Sequence, residues 1–288
     1  MAKQSKERSL SEHMAAKKTV RYIVLIFLTI LCLFSFYILI INSTRAHYDI
    51  QKGFSMLPGT SFIKNFKSLM GNSNLPVIRG MINSIIVSGG TCILSTYFSA
   101  LTAYAIHAYD FKGRKLIFSF ILAIMMIPTQ VTALGFISFM RKLNLLDNFI
   151  PLIIPAIAAP NVFFFMKQYM ESSLPLEIVE ASRIDGAAEF KTFNSIIIPI
   201  MKPAIAVQAI FTFVSAWNNY FTPNLLLSKR EMKTLPILIA QLRSADFLKF
   251  DVGQIYMMIF FSIVPVIIVY IALSKNIIGG IAVGAVKG

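Results

Sequence analysis

The sequence predicts an all-α polytopic membrane protein built on six transmembrane helices. Three observations lead there. Of the 288 residues, 56% are hydrophobic and only 14% are charged, where a soluble domain carries about a quarter charged residues. The apolar residues gather into six stretches, near 22–41, 83–107, 116–140, 149–168, 203–227 and 255–275, each close to the ~20 residues that cross the hydrocarbon core of a bilayer. Each stretch has to be helical, because in lipid a spanning helix satisfies its own backbone groups.

The first stretch follows a basic N-terminal extension, residues 1–21, with Lys3, Lys6, Arg8, Lys17, Lys18 and Arg21 against Glu7 and Glu12. Its length, and the lack of a small-x-small cleavage pattern behind it, make 22–41 a retained span rather than a signal peptide. Six spans put both termini on one side. The basic flank of the first span and the short loop 110–115, with Lys112, Arg114 and Lys115, place that side in the cytoplasm. Residues 22–288 then form one transmembrane domain with external loops at 42–80 and 228–254 and a cytoplasmic loop at 175–202. Pro58-Gly59 and Gly71-Asn72 are turn signals within the first external loop.

Several functions are excluded at this level. The net charge of +14 is a topology signal, since the basic residues are scattered and carry no aromatic-interleaved stripe; no nucleic-acid partner is expected. Cys32 and Cys92 lie in apolar runs without Cys or His neighbours, and His13, His47 and His107 are isolated, so neither a disulfide nor a metal site is expected. The spans hold no Asp or Glu. An intramembrane enzyme would need convergent carboxylates, histidines or a Ser/Lys pair at depth, and a proton-coupled carrier a buried acid–base pair; a stand-alone secondary carrier is the alternative of another class.

The segment 175–202 is the most polar long stretch between two apolar ones. Pro175 suits the first turn of a helix, where its missing N–H costs nothing. A helix from there through Ile184 carries Glu177, Glu180 and Arg183 at three-residue spacing. Gly186 allows a sharp bend. Asp185 or Gly186 is expected to cap a second helix, with Glu189 in its first turn at the positive end of the helix dipole. Phe190, Phe193 and Ile197 form one apolar stripe, and Pro199 and Pro203 end that helix and start the next span. The expected result is a short helix, a glycine bend and an amphipathic helix lying across the membrane face.

Glu180-Ala181-Ser182, then Gly186, nine residues, and Ile196-Ile197-Ile198-Pro199 resemble the EAA loop of permease subunits of bacterial ABC importers, with Ser182 for the second Ala and Ile198 for Leu. Over roughly residues 80–288 the chain further resembles the carbohydrate-uptake branch, specifically its maltose-type second permease. The matching residues are Asn83-Ser84, Tyr104-Ala105 with Phe111-Lys112-Gly113-Arg114, Met126-Ile127-Pro128-Thr129-Gln130-Val131, and Ile184-Asp185-Gly186-Ala187. Phe211-Thr212-Phe213 with Trp217-Asn218, Thr234-Leu235-Pro236 and the terminal Gly284-Ala285-Val286-Lys287-Gly288 continue the match. Asn219 departs from the pattern, which often has an acidic residue there.

The resemblance implies a type I ABC importer permease fold in the inner (cytoplasmic) membrane of a bacterial cell. It implies alternating-access import of a sugar or oligosaccharide, with glycerol-phosphate or a polyol as the alternative within the same branch. The implied partners are a homologous second permease subunit, two ATPase subunits and an extracellular solute-binding protein that docks on the outer loops. In that family the bent segment is the coupling helix seated in the ATPase. Carried over, Gly186 is the bend, Glu180 and Asp185 are polar contacts with Arg183 beside them, Ala181 and Ala187 are close-approach positions, and Phe190 and Phe193 give the apolar face. The chain has no Gly-x-x-x-x-Gly-Lys-Ser/Thr; ATP and Mg are therefore expected on the partner ATPase, with no cofactor bound by this chain and no enzymatic activity of its own.

The translocation path is read from prolines and amides in the spans. Asn83, at the start of the second span, is one candidate. Pro128 either simply kinks the third span, with Thr129 satisfying freed carbonyls, or lines the path with Gln130 facing it. Pro160-Asn161 poses the same alternative in the fourth. Trp217 and Tyr220 suit interfacial anchors, and Asn218 beside them either packs or contacts sugar or binding protein. Gln208 is expected to bond between helices. The C-terminal tail, with Gly279, Gly280, Gly284 and Gly288 for flexibility and Lys287 for charge, reaches toward the ATPase by resemblance or is a disordered end.

Overall fold

The computed structural model describes residues 2–72, 75–243 and 251–285. Helices α1 (Ala2–Ser43), α2 (His47–Gln51), α3 (Phe62–Met70) and α4 (Val77–Ala108) come first. They are followed by α5 (Arg114–Ile124), α6 (Thr129–Lys142), α7 (Ile150–Ile153) and α8 (Pro160–Ser173). Then come α9 (Leu176–Ile184), α10 (Glu189–Thr192), α11 (Ile198–Ile200), α12 (Lys202–Trp217), α13 (Phe221–Leu226), α14 (Leu235–Arg243) and α15 (Val252–Ala285). No strand occurs among the described residues. Residues 2–71 with 251–260 form one compact unit, and 72–243 with 261–285 form another.

Among the described residues, four stretches are long and apolar enough to cross a membrane whole: Lys17–Ser43, Val77–Ala108, Ile150–Ser173 and Val252–Ile277. Two bent pairs raise the number to 6 if each counts as one span: α5 with α6, at 94°, and Glu189–Ile200 with α12, at 80°. The expected third span is therefore not one kinked helix. Pro128 has no N–H to donate and disfavours a helical conformation at Ile127; it sits extended (φ −63°, ψ 130°) between two helices.

Other boundaries shift for identifiable reasons. No glycine or proline interrupts residues 2–43, so the basic extension and the first span form one helix, about 63 Å long at ~1.5 Å per residue. The expected outer loop 42–80 holds α2, α3 and the first turn of α4. Within the smaller unit, Arg45 is buried and ties this region together: its guanidinium donates to Asn42 Oδ1 (3.1 Å) and to the carbonyls of Gly53 (3.0 Å) and Asp49. The Asn65 amide donates to the Ser43 and Arg45 carbonyls. Helix α15 runs through Gly279, Gly280 and Gly284 to Ala285, because a glycine weakens a helix by about 1 kcal/mol without forbidding it. Lys287, and residues 244–250 of the expected loop 228–254, lie outside the described residues.

In the larger unit α4 is the hub, packed against α7, α8, α12 and α14. Its buried face is a stripe of small residues: Gly80, Ser84, Ser88, Ser95, Ser99 and Ala103. Small side chains let helix backbones approach closely where lipid offers no hydrophobic drive to association. A Cβ on Gly80 would lie 2.5 Å from Leu238 Cδ1 of α14. Hydrogen bonds add to the packing: Thr91 Oγ1 to the Leu152 carbonyl (3.2 Å), Cys92 Sγ to Ala209 (3.3 Å), Ser99 Oγ to Ala159 (3.3 Å), and the Leu235 N–H to Ser84 Oγ (2.8 Å).

Asn83 belongs to this scaffold. It is buried, and its amide donates to the carbonyls of Glu231 (2.8 Å) and Lys233 (2.9 Å). Both donated bonds anchor α4 to the 230–233 turn. Asn83→Leu leaves two inner carbonyls without a donor and is expected to destabilise the protein by roughly 1–3 kcal/mol. Thermal unfolding in detergent reads this directly, with the exposed neighbour Ile82→Leu as an unaffected control.

Candidate functional site

The polar segment after α8 folds into a hairpin of two short helices. Pro175, extended at ψ 136°, starts α9, and Glu177 lies in its first turn, where the positive dipole end favours a carboxylate. The helix closes at Asp185. Gly186 follows in the left-handed region at φ +73°. Its N–H bonds the Arg183 carbonyl (3.0 Å), and the Ala187 N–H reaches back to Ser182 (3.0 Å). These two bonds around a left-handed glycine form a Schellman closure. A Cβ at 186 would meet nothing within 4 Å, so the dihedral, not crowding, calls for glycine.

The second helix begins at Glu189 after extended Ala188 (ψ 142°). Neither Asp185 nor Gly186 caps it, because both are used in closing α9. From Phe193 to Ile197 the chain makes a π turn, which rotates the following residues relative to a regular helix. The buried face becomes Thr192, Phe193 and Ile197, and Phe190 falls outside it. Phe193 is 1% exposed, with ring centroids 5.6 Å from Tyr97 and 5.7 Å from Tyr104 of α4. The expectation that Phe190 and Phe193 share one apolar face is therefore corrected: Phe193 is core, and Phe190, at 68% exposed, stands outside.

Polar contacts lock the hairpin and fasten it to α4. Ser182 Oγ lies 3.1 Å from Thr192 Oγ1, both residues buried, so the departure from a second Ala adds a bond across the hairpin. Arg183 Nε donates to Glu189 Oε1 (2.7 Å). The other Glu189 oxygen accepts from Tyr104 OH (2.9 Å). The guanidinium sits 4.9 Å from the Tyr109 ring centroid, within cation–π reach. The hydrogen bond to Glu189 holds the Arg183 pKa above its ordinary value. Tyr97 OH donates to Asn194 Oδ1 (3.2 Å), and His107 Nε2 lies 3.0 Å from the Leu174 carbonyl at the hairpin's entry.

What remains outward is a compact tip. Glu180, Ala181, Asp185 and Gly186 are exposed, and Ala187 is half-buried. Ile184, 86% exposed, stands beside the turn with Phe190. Arg183 is partly exposed but its charge is engaged within the hairpin. Ile184 as an apolar tip, and Ser182, Glu189 and Tyr104 as fasteners, escaped the sequence reading. Ser182 and Thr192 are ten positions apart in sequence, and only the folded turn reveals their contact.

The remaining candidates are dispersed. Pro128 and Gln130 are exposed at the α5–α6 break. There Thr129 Oγ1 faces Gln130 Oε1 (3.4 Å), and it is Thr132 that donates to a carbonyl, that of Thr129 (3.0 Å). Asn161 opens onto a cavity between α4, α8 and α12, while Asn218 lines a separate cavity of 310 Å³ with Trp217 and Tyr220. Trp217 is buried and stacked on Phe213 (5.7 Å, 17°); the expected interfacial anchor is a packed core residue, because α12 turns that ring toward Phe213 one helical turn back.

Helices broken by prolines thus surround a small-residue hub, with a polar hairpin on one flank. The fold superposes on a chain of a bacterial ABC transporter involved in import of the acidic polysaccharide alginate, with a TM-score of 0.75 and 24% identity, covering 89% of this chain and 94% of that one. The chain belongs to the family of binding-protein-dependent transport system inner membrane components, which it matches over residues 95–277. It is 32% identical over 267 residues to the arabinooligosaccharides transport system permease protein AraQ of Bacillus subtilis, covering 91% of this chain and 92% of AraQ. It is 29% identical to the trehalose/maltose transport system permease protein MalG of Thermococcus litoralis, covering 94% and 98%. It is 27% identical to the sn-glycerol-3-phosphate transport system permease protein UgpE of Yersinia pestis, covering 90% and 94%. It is thus a membrane-embedded, non-catalytic subunit of an ABC importer, a class that works with a partner permease, an ATPase and a binding protein.

Two substitutions test the hairpin's construction. Gly186→Ala forces a β-carbon into the left-handed region at about 1–2 kcal/mol, and Glu189→Ala removes the acceptor shared by Arg183 and Tyr104. Hydrogen exchange of amides in 176–192 is expected to speed up roughly five- to tenfold in each. Glu180→Ala, on the exposed side, is expected to leave the exchange pattern unchanged.

Proposed function

We propose that this chain is the second-permease-type subunit of an ATP-driven, binding-protein-dependent importer of a neutral sugar or oligosaccharide, and that the α9–α10 hairpin is the surface on which its ATPase docks. The observation that carries the docking assignment is the tip itself: Ile184 and Phe190 stand exposed beside the carboxylates of Glu180 and Asp185, on a hairpin that is otherwise fastened to α4. A soluble partner that buries two apolar side chains and meets two carboxylates gains both hydrophobic burial and charge complementarity.

The same geometry supplies the mechanical link. ATP-driven closure of the ATPase pair displaces the docked hairpins together. Because Glu189 joins Tyr104 and Phe193 packs between Tyr97 and Tyr104, the displacement passes to α4 and from it to the helices it touches. The path then alternates between inward and outward access, and hydrolysis resets it. In this reading the termini and the hairpin face the cytoplasm, a homologous second permease completes the path, two ATPase copies hold ATP and Mg, and the solute-binding protein meets the opposite face. The names of AraQ and MalG support carbohydrate as the cargo.

Gly186→Val, or Glu180→Lys combined with Asp185→Lys, is expected to leave the chain in the membrane while the ATPase no longer co-purifies with it in mild detergent. Wild-type levels of sugar-stimulated ATP hydrolysis in these variants would remove the hairpin from the docking role. Uptake is expected to stop on ATP depletion and to survive collapse of ion gradients; the reverse pattern identifies a secondary carrier instead.

A further inference from the structure

Between α2 and α3 the chain descends along α1 and climbs back. Gly53, at φ +121°, turns the chain out of α2, and its carbonyl accepts from buried Arg45 just past the end of α1 (3.0 Å). At Gly59 the chain is back at that level. The Gly59 N–H donates to Thr44 Oγ1 (2.8 Å), and a Cβ there would lie 2.6 Å from the Thr44 carbonyl.

What lies between the two glycines reaches lower. The Phe54 ring packs on Phe34 of α1, with centroids 5.8 Å apart, and Tyr37 OH donates to the Met56 carbonyl. The apolar run of the first span ends at Ile41, ahead of Asn42 and Ser43. At ~1.5 Å per residue, Tyr37 sits about 6 Å and Phe34 about 10 Å inside that end. Helical side chains lean toward the helix N-terminus, and so deeper still. Phe54, Met56 and Leu57 therefore stand beside a part of α1 that crosses hydrocarbon, and they are 63%, 58% and 75% exposed.

The backbone is built for such a place. Irregular chain at membrane depth is tolerated only where its polar groups have partners. Side chains supply them here. Arg45 donates to the Asp49 and Gly53 carbonyls, Tyr37 to Met56, and Ser55 Oγ accepts from the Leu57 N–H (3.0 Å). Pro58 has no N–H to satisfy. A coil in water has no such requirement, because water completes its hydrogen bonds. Charge stays above the descent. Lys52, just before Gly53, lies 4.1 Å from the Tyr48 ring centroid and 3.4 Å from Asp49 Oδ1. A tyrosine with a lysine whose stem lies along it suits the membrane–water boundary.

We propose that residues 54–57 form a lipid-inserted loop. It is seated among phospholipid acyl chains just below the headgroups of the leaflet farther from the basic N-terminal extension. The loop holds α2 and α3 at the membrane surface, and its occupant is lipid rather than water or a protein partner.

The test uses the full chain with the subunits that co-purify with it, placed in nanodiscs of phosphatidylcholine and phosphatidylglycerol. A fluorescent amino acid is introduced at Leu57 by codon suppression, so that only this position emits. Phosphatidylcholine carrying a nitroxide near the fifth acyl carbon is expected to quench it at least about threefold more than aqueous iodide does, since iodide stays out of hydrocarbon. Stronger quenching by iodide puts the loop in water and overturns the proposal. Protection from both quenchers puts protein over the loop and also overturns it. Leu57 is exposed, so the probe unpacks nothing; the same probe at Met56 gives the reading independently if the first variant fails to assemble. Neither overturning result touches the assignment of the chain as an importer permease.

Discussion

The close packing of α4 is the constraint on which the rest of the larger unit depends. Between helices in lipid there is no gain from hiding apolar surface, so association rests on van der Waals contact and on interhelical hydrogen bonds. The stripe from Gly80 to Ala103 supplies the contact. Thr91, Cys92 and Ser99 supply the bonds, each ending on a backbone carbonyl of a neighbouring segment. Those carbonyls are not arbitrary. Ala159 precedes Pro160, and Leu152 lies in the short α7 just before the chain loses regular α-helical form at Ile154–Ile157. Two of the hub's three bonds thus reach the fourth span on either side of its irregular stretch, and the third reaches Ala209 within α12.

The same helix connects the two ends of the unit. At one end Asn83 grips the 230–233 turn, and at the other Tyr97 and Tyr104 grip the α9–α10 hairpin. The hairpin is stiff in itself, through the left-handed Gly186 and the Ser182–Thr192 and Arg183–Glu189 contacts. Polar bonds fix the hairpin's position on α4, which apolar packing alone does not do. The π turn at Phe193–Ile197 has a part in this. It turns Phe193 and Ile197 toward the core together and leaves the tip residues facing out.

The breaks in the spans serve a different end. Pro128 and the α11–α12 junction bend the chain by 94° and 80°, and such interruptions are tolerated only where backbone finds partners in protein or lines a cavity. The polar cavity lies between α8 and α12, both of which begin just after a proline-bearing irregular stretch. Breaks and cavity together give this helical protein an uncharged polar surface between α8 and α12.

How much of this was legible in the sequence follows from the range of the forces involved. Composition, six apolar stretches, the prolines and Gly186 act locally, through backbone dihedrals and through the cost of exposing peptide groups to lipid, and they alone determined an all-α membrane protein with a bent polar hairpin. Glu180 and Asp185 were expected as polar contacts from the family resemblance, and both are exposed. The roles that depend on contacts across the fold were decided only by tertiary structure. The bonds of the Asn83 amide to carbonyls some 150 positions away leave no trace in the sequence around it. Phe190 and Phe193 read as one apolar stripe, yet only Phe193 is in the core, and the Arg183–Glu189 and Arg183–Tyr109 contacts form across the turn. Side-chain direction in these cases is set by partners distant in sequence, and periodicity along one helix carries no record of them.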